Sequence, residues 1–245
     1  MEFNLRFILI SLTLLILSCN IYLNLQKESD YKQKNFSKDI FKLYYFSVNG
    51  RAIIIRALFS YSKVKFENIF VDKNWGQLKS DTSLFEFGQV PILIHNEKIL
   101  SQSKAIYLYL ARLFNLYGNN LDDEYQIDSL LNSYDDISKF YTPLHYPKND
   151  EEKNNQEKYK EIFRKEFKRF LGIYERRYKQ LGSGKYYLGN YFSLADIYLT
   201  TYLNVFAEDA GGIAFIKDSS PKLAELIEKI KNNELKEFFD KYYRK

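Results

Sequence analysis

Three short stretches of this chain carry polar groups at spacings that chemistry could use. Gln102-Ser103 leads into an apolar-striped segment. A helix start there would offer unpaired N–H groups and a positive dipole end to a carboxylate, although a Ser in that place also reads as an ordinary cap. Val90-Pro91 stands just before an apolar run. X-Pro bonds adopt the cis form far more often than others do, so the residues alone leave two readings open, a cis bond that frees the Val90 backbone for a ligand and a plain strand-starting proline. Ser193-Leu194-Ala195-Asp196 has the spacing of a capping box, a folding device that is assigned no chemistry.

Composition narrows the remaining chemistry. The single cysteine, Cys19, excludes a disulfide framework, a Cys-x-x-Cys redox centre and a cysteine zinc cluster. With only His95 and His145, a three-His metal site is excluded, and any nucleophile–His pair must use one of these two. No metal is expected. A net charge of +5 suits a small anionic substrate as well as a polyanion, and is too mild to indicate nucleic acid. The chain holds 22 Tyr and 20 Phe, so a single Tyr is weak evidence of function.

These residues must be positioned by elements, and the elements begin after a distinct N-terminus. Arg6 precedes the apolar residues 7–17, followed by Ser18, Cys19 and Asn20. This is the layout of a secretory signal peptide, and the run falls short of the roughly 20 residues that span a bilayer. The expectation for residues 1–26 is a cleaved signal peptide, with an uncleaved signal anchor or a buried segment as alternatives. That places the chain in the secretory pathway, secreted or in the ER lumen, with the cytoplasm as the alternative and a membrane contact only if the segment stays uncleaved. Residues 27–39 read as a polar linker, and Asn35-Phe36-Ser37 fits a glycosylation acceptor.

From residue 40 the pattern becomes regular. Strands are expected at 41–46, 65–70 and 91–94, with a hairpin return at 98–100 after Asn96-Glu97. Helical spacing covers 50–61 and 102–113, and 71–88 reads as irregular. The order strand, helix, strand, loop, strand, strand, helix is that of a thioredoxin-like α/β domain, placed at 40–118. Residues 122–245 form an all-helical domain, with helical spacing at 124–141, 152–180 and 194–207.

Five stretches in this order resemble the soluble glutathione transferases, and within them the sigma class, which includes the haematopoietic prostaglandin D synthases. They are Leu43-Tyr44-Tyr45-Phe46-Ser47-Val48-Asn49-Gly50-Arg51-Ala52, Trp75-Gly76-Gln77-Leu78-Lys79, Gly88-Gln89-Val90-Pro91-Ile92-Leu93, Leu100-Ser101-Gln102-Ser103-Lys104-Ala105-Ile106, and Gly189-Asn190-Tyr191-Phe192-Ser193-Leu194-Ala195-Asp196. The resemblance covers about residues 41–245. It implies the glutathione transferase fold and glutathione as co-substrate, with no cofactor beyond it. It also implies a hydrophobic electrophile as second substrate, a homodimer and a role in detoxification.

The resemblance also assigns roles. Tyr45, six residues before Arg51, matches the tyrosine that donates its hydroxyl to the glutathione sulfur, and Arg51 matches the cation that orients it. Neighbouring strand residues face opposite sides, so Tyr44 and Tyr45 cannot both face the site. The resemblance implies that Gln102 and Ser103 hold the γ-glutamyl carboxylate, Gln89, Val90 and Pro91 the peptide backbone, and Trp75 and Lys79 the glycine carboxylate; a buried loop anchor is the other reading of Trp75. Asp136 matches the residue that reaches the glutamyl amine across a dimer. Asn132 stands where an Asp is usual, which removes support for a divalent-ion effect. Asn49 replaces an Arg and Ile53 a Glu or Ala, so the second substrate is left open, with hydroperoxide reduction one activity of the same thiolate. The alternative is a non-catalytic ligand-binding or crystallin-like relative, against which the retained set from Tyr45 to Ser103 argues. A thiol oxidoreductase lacks its cysteine at the first strand–helix turn.

Overall fold

The computed structural model describes residues 36–243, and the chain from Ile40 onward forms one unit. The signal segment, most of the linker and Asn35 lie outside the described residues. Strand β1 (Phe41–Tyr45) alternates as its sequence requires, with Phe41, Leu43 and Tyr45 buried and Lys42 and Tyr44 half-buried. It pairs in parallel with β2 (Glu67–Phe70), Leu43 facing Asn68, and antiparallel with β3 (Ile92–His95), Leu43 facing Leu93. β3 turns at Asn96-Glu97 into β4 (Lys98–Ser101), so the sheet order is β2-β1-β3-β4.

A parallel neighbour needs a crossover. Helix α1 (Ile53–Tyr61) supplies it, entered through a 3-10 turn at Gly50–Ala52. Residues 71–88, expected to be irregular, contain the single-turn helix α2 (Trp75–Leu78). Helix α3 (Ser103–Leu113) begins one residue later than expected, because Gln102 leaves helical geometry.

The helical domain comprises α4 (Leu121–His145), α5 (Asp150–Asn154), α6 (Gln156–Gln180), α7 (Leu194–Ala210), α8 (Ile213–Ser219), α9 (Pro221–Asn232) and α10 (Lys236–Tyr242). The chain thus has a thioredoxin-like domain followed by an all-α domain. α4 starts earlier than its apolar spacing suggests, because the Asn120 side chain accepts from the Asp123 N–H at 3.0 Å and fixes the first turn. α7 is buried on nearly every face, and it packs against α1, α4 and α6.

The start of α7 is the expected capping box. Asp196 is fully buried and accepts from the Ser193 N–H at 2.9 Å, the Ser193 hydroxyl at 3.0 Å and the Tyr187 N–H at 2.8 Å. Burial pushes its carboxyl up to about 6, against the pull of those donors. Asp196→Ala orphans buried donors and removes a cap, so urea unfolding should show a loss of about 2–4 kcal/mol. The sign of the pH effect follows from the raised value. The folded chain holds this proton more tightly than the unfolded one, so the contribution is full below about 4 and is lost as pH rises through about 6. Asp196→Asn should flatten that slope.

Candidate active site

A cleft of about 690 Å³ lies between one edge of the α/β domain, made of the ends of β1 and β4 and the start of β3, and the helices α4 and α7. Its floor is set by the turn that follows β1. Tyr45, the last residue of that strand, is buried, and its hydroxyl accepts the Arg51 backbone N–H at 2.8 Å. Gly50 makes this approach possible. Its φ is +37°, and a Cβ built there would lie 2.5 Å from the Tyr45 hydroxyl oxygen. Burial raises the Tyr45 pKa above its ordinary value of 10, opposed by the Arg51 N–H and by the Arg51 and Arg56 charges. The group is therefore a neutral phenol around pH 7. With a lone pair committed to Arg51, its own proton is available to an acceptor in the cleft.

Two residues that sequence reasoning missed hold this turn. Arg56, almost fully buried in α1, donates to the carbonyls of Phe46 and Val48 and to Asn68 Oδ1. Its guanidinium lies 5.8 Å from the Tyr45 ring centroid and 5.7 Å from that of Tyr242. The signal was present, since Arg56 interrupts an otherwise apolar helix and a buried cation needs partners. Tyr107 of α3 donates its hydroxyl to the Arg51 carbonyl and sits 3.3 Å from the Tyr202 hydroxyl of α7. The Arg51 backbone is thus gripped on both sides of its Cα, at the N–H by Tyr45 and at the carbonyl by Tyr107.

Val90-Pro91 is cis and lines the cleft with Gln89. Gln102 and Ser103 line it too. Gln102 has φ +68° and ψ 115°, an uncommon conformation for a residue with a Cβ, of the kind that clusters at functional sites. Trp75 is half-buried at the cleft wall, its ring between Phe46 at 5.8 Å and Phe85 at 5.3 Å. Tyr44 instead packs on Phe85 and does not line the cleft. The structure therefore brings Tyr45, Arg51, Trp75, Gln89, Val90, Pro91, Gln102 and Ser103 around one space. Lys79 and Asp136 are both exposed and stand outside that lining. Asp136 pairs with Lys139 at 3.8 Å, while Lys104 holds Asp135 at 2.6 Å and Asn132 at 3.1 Å. Among the described residues no cluster of three or more His, Cys, Asp or Glu could hold a metal ion.

The opposite wall of the cleft is aromatic, with Tyr134, Tyr141, His145, Tyr146, Tyr202 and Phe206. The Arg51 guanidinium lies 5.3 Å from the Tyr134 ring centroid. One wall therefore offers hydrogen-bonding groups to a peptide-like ligand, and the other an apolar surface to a second molecule.

Comparison with known proteins finds relatives for both domains. Residues 41–112 match the family model "Glutathione S-transferase, N-terminal domain", and residues 134–241 match "Glutathione S-transferase, C-terminal domain". The mouse glutathione S-transferase A4 is 33% identical over 166 residues, 64% of this chain and 70% of that protein. The human hematopoietic prostaglandin D synthase is 29% identical over 199 residues, 78% of this chain and 89% of that protein. The solved Fasciola hepatica sigma class GST superposes with a TM-score of 0.71 at 27% identity, covering 85% of this chain and 99% of that one. The chain belongs to the glutathione S-transferase family and is a glutathione transferase. Its relatives support a sigma-like placement within that family, and glutathione serves it as co-substrate.

The Gly50–Tyr45 approach can be tested directly. Gly50→Ala must displace the Tyr45 hydroxyl or the turn. Conjugation of glutathione to chlorodinitrobenzene should lose tenfold or more in kcat/KM, with a stability loss of about 1–3 kcal/mol in chemical denaturation.

Proposed function

We propose that Tyr45 activates glutathione by donating a hydrogen bond from its hydroxyl to the thiolate sulfur. The observation that carries this reading is the Arg51 N–H donated to the Tyr45 oxygen at 2.8 Å, which fixes the phenol and leaves its proton to be given. A free thiol titrates near 8.5, so a donated hydrogen bond is needed to hold the thiolate at neutral pH. Arg51 adds positive charge beside the site and orients the phenol. Gln102 and Ser103 receive the γ-glutamyl carboxylate at the start of α3, where the helix end attracts an anion. The Val90 backbone pairs with the cysteinyl peptide, with Gln89 and Pro91 beside it, and Trp75 and Lys79 take the glycine carboxylate. The thiolate then adds to an apolar electrophile on the aromatic wall, a detoxifying conjugation, and reduces organic hydroperoxides as a second activity.

In this reading the protein is a homodimer. Asp136 lies outside the cleft lining of its own chain and is exposed, as suits a residue that completes the site of a second copy. The chain enters the secretory route through the apolar segment after Arg6. Expression in its own cell type should give a membrane-sequestered protein that loses mass on deglycosylation, and a full-length, protease-accessible cytosolic pool would refute this.

Tyr44 provides an internal control for the tyrosine. Tyr45→Phe should raise the pKa of bound glutathione toward the free value near 8.5, read from thiolate absorbance against pH. It should cost roughly 1.5–3 kcal/mol, or ten- to a hundredfold in rate. Tyr44→Phe should cost far less. A titration moved by Tyr44→Phe and not by Tyr45→Phe would refute the assignment.

A further inference from the structure

One histidine of the two in this chain lines the cleft, and the glutathione side of the site makes no use of it. His145 sits in the last turn of α4, on the aromatic wall. Its Nε2 is 2.9 Å from Oδ2 of Asp209, which α7 presents 64 residues further along the chain. Tyr141, one turn before His145, sets a tilted ring 4.6 Å from the imidazole, and the Asp209 charge bears on its phenol. Other titratable groups near this cluster are Glu208 and Tyr243, both close to Tyr141, and Tyr146, whose ring lies 6.4 Å from the imidazole. Among the described residues Nδ1 of His145 has no hydrogen-bond partner. The side chains of His145 and Asp209 are 39% and 30% exposed, so the pair is open to water, and His145 itself lines the cleft. A carboxylate that fixes one nitrogen of an imidazole at the edge of a reaction space is the arrangement of an oriented proton-transfer group.

We infer that His145, oriented by Asp209, is the general acid that protonates the carbonyl oxygen when the thiolate adds to an α,β-unsaturated aldehyde or ketone. This rests on the reading of the cleft as a glutathione site. In the step, the sulfur lone pair forms the S–C bond at the β-carbon. The C=C π pair moves to the bond between the α-carbon and the carbonyl carbon, and the carbonyl π pair moves onto oxygen. The imidazolium proton goes to that oxygen, and the enol then tautomerises in water. Solvent returns to the imidazole the proton that the thiol released on ionising, so glutathione and the enal give one adduct with no net gain or loss of protons. Displacement of chloride from chlorodinitrobenzene needs no proton donor, because the charge of the addition complex is spread over the ring and both nitro groups and chloride departs as a stable anion.

The contrast between the two electrophiles supplies the experiment. Purified chain would be assayed with cinnamaldehyde and with chlorodinitrobenzene, as wild type, His145→Gln and Asp209→Asn, with circular dichroism to verify folding. The expected result for His145→Gln is a fall of tenfold or more in the ratio of the two kcat/KM values. The loss should lie mainly in kcat for cinnamaldehyde, and added imidazole should restore part of it. Asp209→Asn should lower the same ratio by a smaller factor. A ratio within twofold of wild type in His145→Gln, or equal losses on both substrates, would overturn the inference and leave the pair as part of the cleft wall. A wild type that conjugates chlorodinitrobenzene but not cinnamaldehyde would overturn it while sparing the transferase reading. A wild type active on neither would overturn both.

Discussion

The hydrogen bond from the Arg51 N–H to the Tyr45 hydroxyl is the contact on which the rest of this site depends. It forms only because Gly50 has no Cβ and accepts φ +37°. The turn carrying Arg51 stays in place because Arg56 ties the carbonyls of Phe46 and Val48 to α1 from below. The Arg51 carbonyl is held by Tyr107, whose hydroxyl neighbours Tyr202 of the helical domain. The two peptide planes that meet at Arg51 are therefore fixed by the strand, by α3 and, through Tyr202, by the core helix of the second domain. The phenol at the cleft floor is positioned by contacts made within the chain itself.

The legible part of the fold is where local pattern and tertiary demand agree. Phe41, Leu43 and Tyr45 alternate because one face of β1 is buried, and that alternation already separated Tyr45 from Tyr44. The Asn96-Glu97 turn announced the β3–β4 hairpin, and Ser193 and Asp196 announced the start of α7. The cleft residues around Val90-Pro91 and Gln102-Ser103 were legible because each stands at an element boundary, where side chains and backbone groups are free to meet a ligand.

The rest was hidden for physical reasons. One turn of helix at Trp75–Leu78 is too short to show a period. Leu121 is exposed, so the first turn of α4 carries no apolar signal and is announced only by the Asn120–Asp123 cap. Gln102 looks like a helix residue, but the turn out of β4 forces it to positive φ. Tyr107 reads as one more aromatic on an apolar stripe, and its hydroxyl bond to a carbonyl 56 residues earlier has no local trace. The His145–Asp209 pair joins two helices in the same unannounced way.

Trp75 also decides where in this molecule light is emitted. It is the sole tryptophan of the chain, and its indole forms part of the cleft wall between Phe46 and Phe85. The long-wavelength intrinsic emission of this protein therefore arises at one address. Its colour and quenching describe the polarity and traffic of the cleft rather than an average over the molecule. Evolution has left the enzyme with a built-in optical dye, and substrate arrival can be timed by light without attaching any label.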